Sequence, residues 1–279
     1  MGRFFSTLFL TFSGGLLLFW SWLHYSDARN WLLDRLNIGK FQTLEARFSP
    51  EWIMEKHKKE LLKDKYHSFL EPTVEFHPYL LMEVKYTRSQ QKTCEGLILW
   101  SLIDGEMVLN ASSWEKTHGF MDCILANADR EDFKVINALS AYGDVADRDQ
   151  LSKHLKIEDE ILDIWLDKCR LKNLIVQHGN RFRLHLENPK LYVYPETALD
   201  EWFVTNPARK SSRLPRKFRS AQIESVAKSA FGSDFAIRKT TEVFLPVIQI
   251  KVQNPDGSQM SSYWNALNGK RFSQTYQIE

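Results

Sequence analysis

The 279-residue sequence predicts an α+β fold, and three features of it carry that reading. Between Glu131 and Leu186, apolar residues recur at helical spacing in three short segments and then give way to a hairpin. Leu80–Tyr86 and Ile248–Val252 each alternate apolar and polar residues with the period of a half-buried strand, and each is followed by a turn and a returning strand. Phe4–Leu23 carries no charge over twenty residues. A hydrophobic content of 43% with 26% charged residues suits a packed globular body and excludes wholesale disorder. The formal net charge of +2 is too small to make a polyanion the partner of the whole surface. Cys94, Cys123 and Cys169 are odd in number and far apart, which gives neither a disulfide framework nor a metal-binding pair.

Taken in order, the chain divides into residues 1–25, a transmembrane anchor; 26–45, an amphipathic connector; 46–127, a helix-plus-hairpin module; 128–190, a central domain; 191–219, a basic linker; and 220–279, a second helix-plus-hairpin module. The uncharged run makes about 30 Å of helix, enough to cross a bilayer core, with Trp20, Trp22 and Tyr25 at the headgroup level. A cleaved signal peptide and a buried core helix are the competing readings; no small-x-small cleavage site follows the run, which favours a retained anchor. Counting Arg3 against Arg29, Arg35, Lys40 and Arg47 leans toward a cytoplasmic body, and the opposite sense stays open. Trp31, Leu32, Leu33 and Leu36 suit a helical stalk.

Ser49-Pro50-Glu51 opens a helix expected to reach Asp64, because Ser caps, Pro suits the first turn and Glu complements the dipole. A first strand carries Leu80, Met82, Val84 and Tyr86; after a turn at Ser89–Lys92 a second runs Gly96–Ile103, and Asp104-Gly105 closes the hairpin region. The central segment is expected as helices Glu131–Ala141, Arg148–Leu155 and Glu158–Leu171, then strands Leu174–His178 and Arg181–Leu186 joined at Gly179-Asn180. Phe133, Ile136 and Leu139 line one side of the first helix, and Ile161, Leu162, Trp165, Leu166 and Cys169 form the stripe of the third. Asn173 supplies the left-handed residue after that helix. Three helices and a hairpin of this size resemble a winged helix-turn-helix domain.

The C-terminal region repeats the first module. A helix runs from Ser220 to Gly232, Ile248, Ile250 and Val252 alternate with polar residues, Asn254-Pro255-Asp256-Gly257 turns the chain, and Asn268-Gly269 ends the returning strand. Phe76-His77-Pro78 matches Phe244-Leu245-Pro246, and Trp100 precedes Gly105 as Trp264 precedes Gly269. The correspondence suggests two copies of one unit bracketing the central domain, with chance agreement between two generic hairpins as the competing reading. Each is similar to the small helix-and-sheet modules of PepSY type, a resemblance that implies an interaction or inhibitory role. The whole arrangement is also similar to membrane-anchored proteins of chlamydia-like bacteria, a likeness tied to no single motif.

A winged helix raises the question of DNA. A reading helix presents basic or amide side chains to the groove, whereas here Glu158, Asp159, Glu160, Asp163 and Asp167 put five acids and no base into ten residues. Carboxylates on the approaching face oppose phosphate binding, so these five are candidates for contact with a protein. Arg209, Lys210, Arg213, Arg216, Lys217 and Arg219 pull the other way, as lipid or nucleic-acid contact candidates on a mobile connector, or as a solvated linker. No metal spacing, nucleotide loop or catalytic motif is present, and no motif calls for a cofactor; His118 with Asp122 and Cys123 is the nearest approach to a catalytic pair. The expected function is a non-catalytic, membrane-tethered scaffold or adaptor that binds the bilayer and a protein partner. The alternatives are a membrane-anchored DNA-binding regulator and an enzyme with dispersed catalytic residues.

Overall fold

The computed structural model describes residues 39–88, 92–208 and 211–272. The expected anchor with Trp20, Trp22 and Tyr25, and Trp31–Leu36 of the connector, lie outside these residues. No helix among the described residues is long and apolar enough to cross a membrane.

The elements are β1 (Lys40–Leu44), α1 (Pro50–Lys56), α2 (Lys58–Leu61), β2 (Ser68–Phe69), β3 (Thr73–Arg88), β4 (Lys92–Ser101), β5 (Met107–Asn110) and β6 (Glu115–Lys116), followed by α3 (Phe120–Leu125) and α4 (Arg130–Ala141). Then come β7 (Val145–Asp147), α5 (Arg148–Leu155), α6 (Asp159–Leu171), β8 (Ile175–His178), β9 (Arg181–Leu184), β10 (Phe203–Pro207), β11 (Ser212–Arg213), α7 (Ser220–Phe231), β12 (Ala236–Gln253) and β13 (Gln259–Asn265). The fold is mixed α+β, with a large sheet and seven helices among the described residues.

Contacts divide the chain into two units, the first being Met1–Phe41 with Thr205–Ser211. Its described residues join where Ala208 N–H donates to the Gly39 carbonyl at 2.9 Å. The second unit, Gln42–Val204 with Ser212–Glu279, contains the long strands and all seven helices. Its strands run in the order β1-β12-β3-β4-β5-β6, with β13 and β2 on β12 and β11 on β3.

At the centre of the sheet β3 and β12 are antiparallel, with His77 opposite Leu245, Pro78 opposite Phe244 and Phe76 opposite Pro246. Leu80 faces Trp100 across one hairpin as Ile248 faces Trp264 across the other. Ser101 N–H donates to Glu106 C=O as Asn265 N–H donates to Lys270 C=O, both at 2.9 Å. Leu102 N–H reaches the Pro78 carbonyl at 3.1 Å and Ala266 N–H reaches that of Pro246 at 3.2 Å. Thr43 runs parallel to Phe244, and Arg213 parallel to Phe76. Each of these pairings in one hairpin has a counterpart at a corresponding position of the other.

Each flanking helix packs on the hairpin of the other end of the chain. Ile53 and Leu61 from α1 and α2 are buried among Ile248, Ile250, Val252 and Trp264, and the His57 ring lies 4.3 Å from that of Trp264. Ile223, Val226 and Ala227 from α7 are buried with Leu80, Met82, Val84 and Trp100. Neighbours in sequence are thus not neighbours in packing. The leading strand β1 lies beside β12, and that pairing carries α1 over β12 and β13.

Other expectations also shift. Lys40–Leu44, expected within a stalk, is a strand, because Phe41, Thr43 and Leu44 are buried while Lys40 and Gln42 are exposed. The helix expected to reach Asp64 breaks at His57 and ends at Leu61. Residues 203–207 and 212–213 of the expected linker form strands, and Lys217 and Phe218 both donate backbone hydrogen bonds to the Leu102 carbonyl.

The central helices stand close to their expected limits. Asp129 and Asp132 form a capping box at the start of α4, and Asp147 and Gln150 form another at α5. Phe133, Ile136, Leu139, Leu151, Leu162, Leu166 and Cys169 are buried in one core, continuous with Leu80, Trp100 and Ile223 of the sheet and α7. Asn173 adopts φ 57° after α6, and β8–β9 turns at Gly179 with φ 61°. A third strand, β7, adds to β9 with Val145 opposite Arg183. At three residues it is too short for a periodic signal.

Candidate functional site

The five acids identified in the sequence all lie on or beside α6, and its folding determines what they do. Leu162, Leu166 and Cys169 turn inward and are buried against α4. That fixes the rotation of the helix and sends Asp159 and Asp163 toward the start of α5. There Arg148 forms a fork: Nε donates to Asp163 Oδ1 at 2.7 Å, Nη2 to Asp163 Oδ2 at 2.6 Å and Nη1 to Asp159 Oδ2 at 3.0 Å. The hydrogen bond to Asp163 raises the pKa of the guanidinium above its ordinary value, and the same bond holds the Asp163 carboxyl below the usual carboxylate range. Asp167 accepts from Arg170 at 2.9 Å on the surface. Glu158 and Glu160 are exposed at the N-terminal end, where the dipole favours them.

The C-terminal half of the helix is basic and is tied to the start of α4. Lys168 meets Asp129 at 2.5 Å, and Lys172 meets Asp129 at 3.1 Å and also Asp132. Asp132 is fully buried; it accepts the Asp129 N–H at 2.9 Å and lies 3.3 Å from the Cys169 sulfur. Burial pushes the Asp129 carboxyl up, but hydrogen bonds from Lys168 and Lys172 outweigh it and hold the group below its ordinary range. Burial raises the Cys169 thiol pKa, and the Asp132 charge adds to the effect, so this sulfur is a packed hydrophobe.

Among these charges, the outward side of α6 carries three exposed aliphatic residues. Ile164 is 67% exposed, Leu171 85% and Ile161 42%. Beside Leu171 an open groove of about 730 Å³ runs between the end of the helix and β8, with Val176 in its wall and Asp167 and Arg170 at its rim. The periodicity of the sequence puts Ile161 in the core stripe, but it is half exposed. Leu162 and Leu166 at spacing i, i+4 take that role and leave Ile161 and Ile164 outside. Neither Arg148 nor the outward turn of Ile164 has a sequence signal, since both depend on how α5 and α6 cross.

The remaining candidates are dispersed. Arg209 and Lys210 lie outside the described residues. Arg213 sits over the Phe244 ring at 6.0 Å, Arg216 pairs with Glu242 at 3.4 Å, Lys217 covers the Phe218 ring, and Arg219 N–H donates to Gln222 at the start of α7. The described part of this basic stretch is thus bound to the sheet and α7. His118 is exposed whereas Cys123 is fully buried, and burial raises that thiol pKa, with Glu106 adding to the effect. The two do not form a nucleophile and base.

A polar group that the sequence did not reveal lies around the β4–β5 turn and the loop before α3. Lys116 Nζ donates to Asp104 Oδ2 at 2.5 Å and sits 5.7 Å from the centre of the Tyr79 ring. Glu106 accepts from Gly119 N–H at 2.9 Å, Met121 N–H at 3.1 Å and Thr117 Oγ1 at 2.7 Å. Burial raises the Glu106 pKa despite these donors. Its carboxylate acts as a clamp on the loop before α3. Among the described residues no group of three His, Cys, Asp or Glu side chains is placed to hold a metal ion. Compared with known proteins, the chain matches no family model, no curated protein and no solved structure.

Proposed function

We propose that the protein is a non-catalytic adaptor, tethered to a membrane by residues 1–25, whose winged-helix domain sits between two copies of one strand-helix-hairpin unit and binds a protein partner. The observation that carries the reading is the exposed row Ile161, Ile164 and Leu171 on α6. A helix that entered a DNA groove with this face would bring apolar side chains and carboxylates toward phosphates, with Asp167, Glu158 and Glu160 beside them. The same face fits the apolar side of an amphipathic helix, which a protein partner supplies. The wing residues Arg181 and Arg183 are exposed, but two bases do not offset the carboxylates of the helix.

A photo-crosslinking side chain at Ile164 in the full chain tests this, alongside filter binding of duplex DNA over a salt series. Crosslinks to protein, with no retention of DNA at physiological salt, are expected. Retention that falls steeply with salt and disappears in the Arg181→Ala/Arg183→Ala variant would reverse the reading in favour of DNA.

A further inference from the structure

We infer that the lysine-rich surface formed by α1, α2 and the segment up to Tyr66 docks on an anionic bilayer. The inference goes beyond the protein-docking reading of α6 and adds a second membrane contact to the tether proposed for residues 1–25. Local folding builds the face. Ile53 and Leu61 are buried on the second hairpin and the His57 ring lies on that of Trp264, so positions at a spacing of four turn inward. Lys56, Lys58 and Lys59 between them, and Lys63 and Lys65 just after, are exposed.

The charges of this stretch do not cancel locally. Among the described residues none of the five lysines has an ion-pair partner. The acids are engaged instead: Glu60 meets His57 at 3.2 Å and Arg271 at 3.4 Å, and Asp64 meets His67 at 2.7 Å. Glu51 sits in the first turn of α1, where the dipole favours it, which leaves Glu55 as the remaining acid of the stretch. Two aromatic rings share the surface. Trp52 is 39% exposed and Tyr66 67%, with Lys56 over the indole at 4.4 Å and Lys65 over the phenol at 5.1 Å. Such rings and lysine stems suit the headgroup layer, where the apolar parts sink and the ammonium groups stay in water. Nucleic-acid recognition draws on the planar fork of arginine, and residues 48–68 contain none. Lysine, a mobile point charge, matches the diffuse negative potential of an anionic leaflet, and each one near the surface strengthens attachment about fivefold.

Amine-reactive footprinting of the full chain tests this, with label counted at each lysine by mass spectrometry. The chain is compared in neutral phosphatidylcholine vesicles and in vesicles with about 30% phosphatidylserine in both leaflets. Either orientation of the tether then meets the same charge, and flotation on the neutral vesicles reads the tether by itself. Labelling at the five lysines should slow about fivefold or more in the anionic vesicles and recover in about 0.5 M salt. Lys153, exposed on α5, should label equally in both. Lys58→Glu/Lys59→Glu/Lys63→Glu, all at exposed positions, should abolish the slowing at Lys56 and Lys65. Equal labelling in the two vesicles, or slowing that ignores salt or the triple variant, would overturn the inference. Slowing by duplex DNA in detergent with none by anionic vesicles would overturn it in favour of nucleic acid.

Discussion

Asp132 has a strong effect on the central domain because one carboxylate meets several demands at once. It closes the capping box of α4, receives Lys172 from the end of α6 and contacts the Cys169 sulfur, while itself fully buried. Asp132→Ala leaves Lys172 and the Asp129 amide without it, and should cost about 3 kcal/mol of stability in a denaturant titration. Glu106 presents the opposite balance. Burial raises its pKa above the ordinary 4.5, so the group binds a proton more readily when folded. Its contribution is therefore fully present below pH 4.5 and is lost as pH rises through the folded value. The wild type should gain stability relative to Glu106→Gln as pH falls from 7 toward 4.5, measured by paired thermal melts. At this scale the sequence was legible where a residue acts locally: Ser49 caps α1, Asn173 takes positive φ, and Gly232 ends α7. Arg148, Lys116 and Glu106 were not, because their partners come from other elements and no spacing encodes them.

Elements were legible in proportion to their length and pattern. The long hairpins and the three central helices announce themselves by period. β1, β2, β7, β10 and β11 have two to five residues each, too few for a period to emerge. Which surface each helix covers was not legible at all, since α1 and α7 carry apolar stripes that fit either hairpin. That gives the element its own test. Ile53→Ala opens a cavity at a fully buried position and should cost about 3 kcal/mol. Hydrogen exchange should then quicken at Trp264–Ala266 of the distant hairpin and leave Leu97–Trp100 protected. Faster exchange in β4 instead would mean that α1 guards its own neighbour in sequence.

Across the molecule, the correspondence of Phe76-His77-Pro78 with Phe244-Leu245-Pro246 is the part of the sequence that reaches furthest, since these two segments lie directly opposite each other where the long strands pair. The segment between the hairpins then rests on only one of two related helix faces. α7 shares a core with α4 through Ile223, Phe133 and Ile136, whereas Trp52 of α1 stays 39% exposed and stacks on Phe48. Symmetry in the sheet is thus combined with asymmetry in its load. A charge pattern visible in the sequence gave the acids, but the fold divided them among Arg148, Arg170 and solvent and left an apolar row that no count of charges discloses.

Because Ile53 and Leu61 lie against Ile248, Ile250, Val252 and Trp264, α1 has no wall to lean on until the last hairpin exists. On the ribosome, α1 and α2 therefore wait, bare along their apolar side, until residues 248–264 have been made. A nascent chain of this design needs shelter, from a chaperone or a bilayer surface, for longer than its modest size suggests.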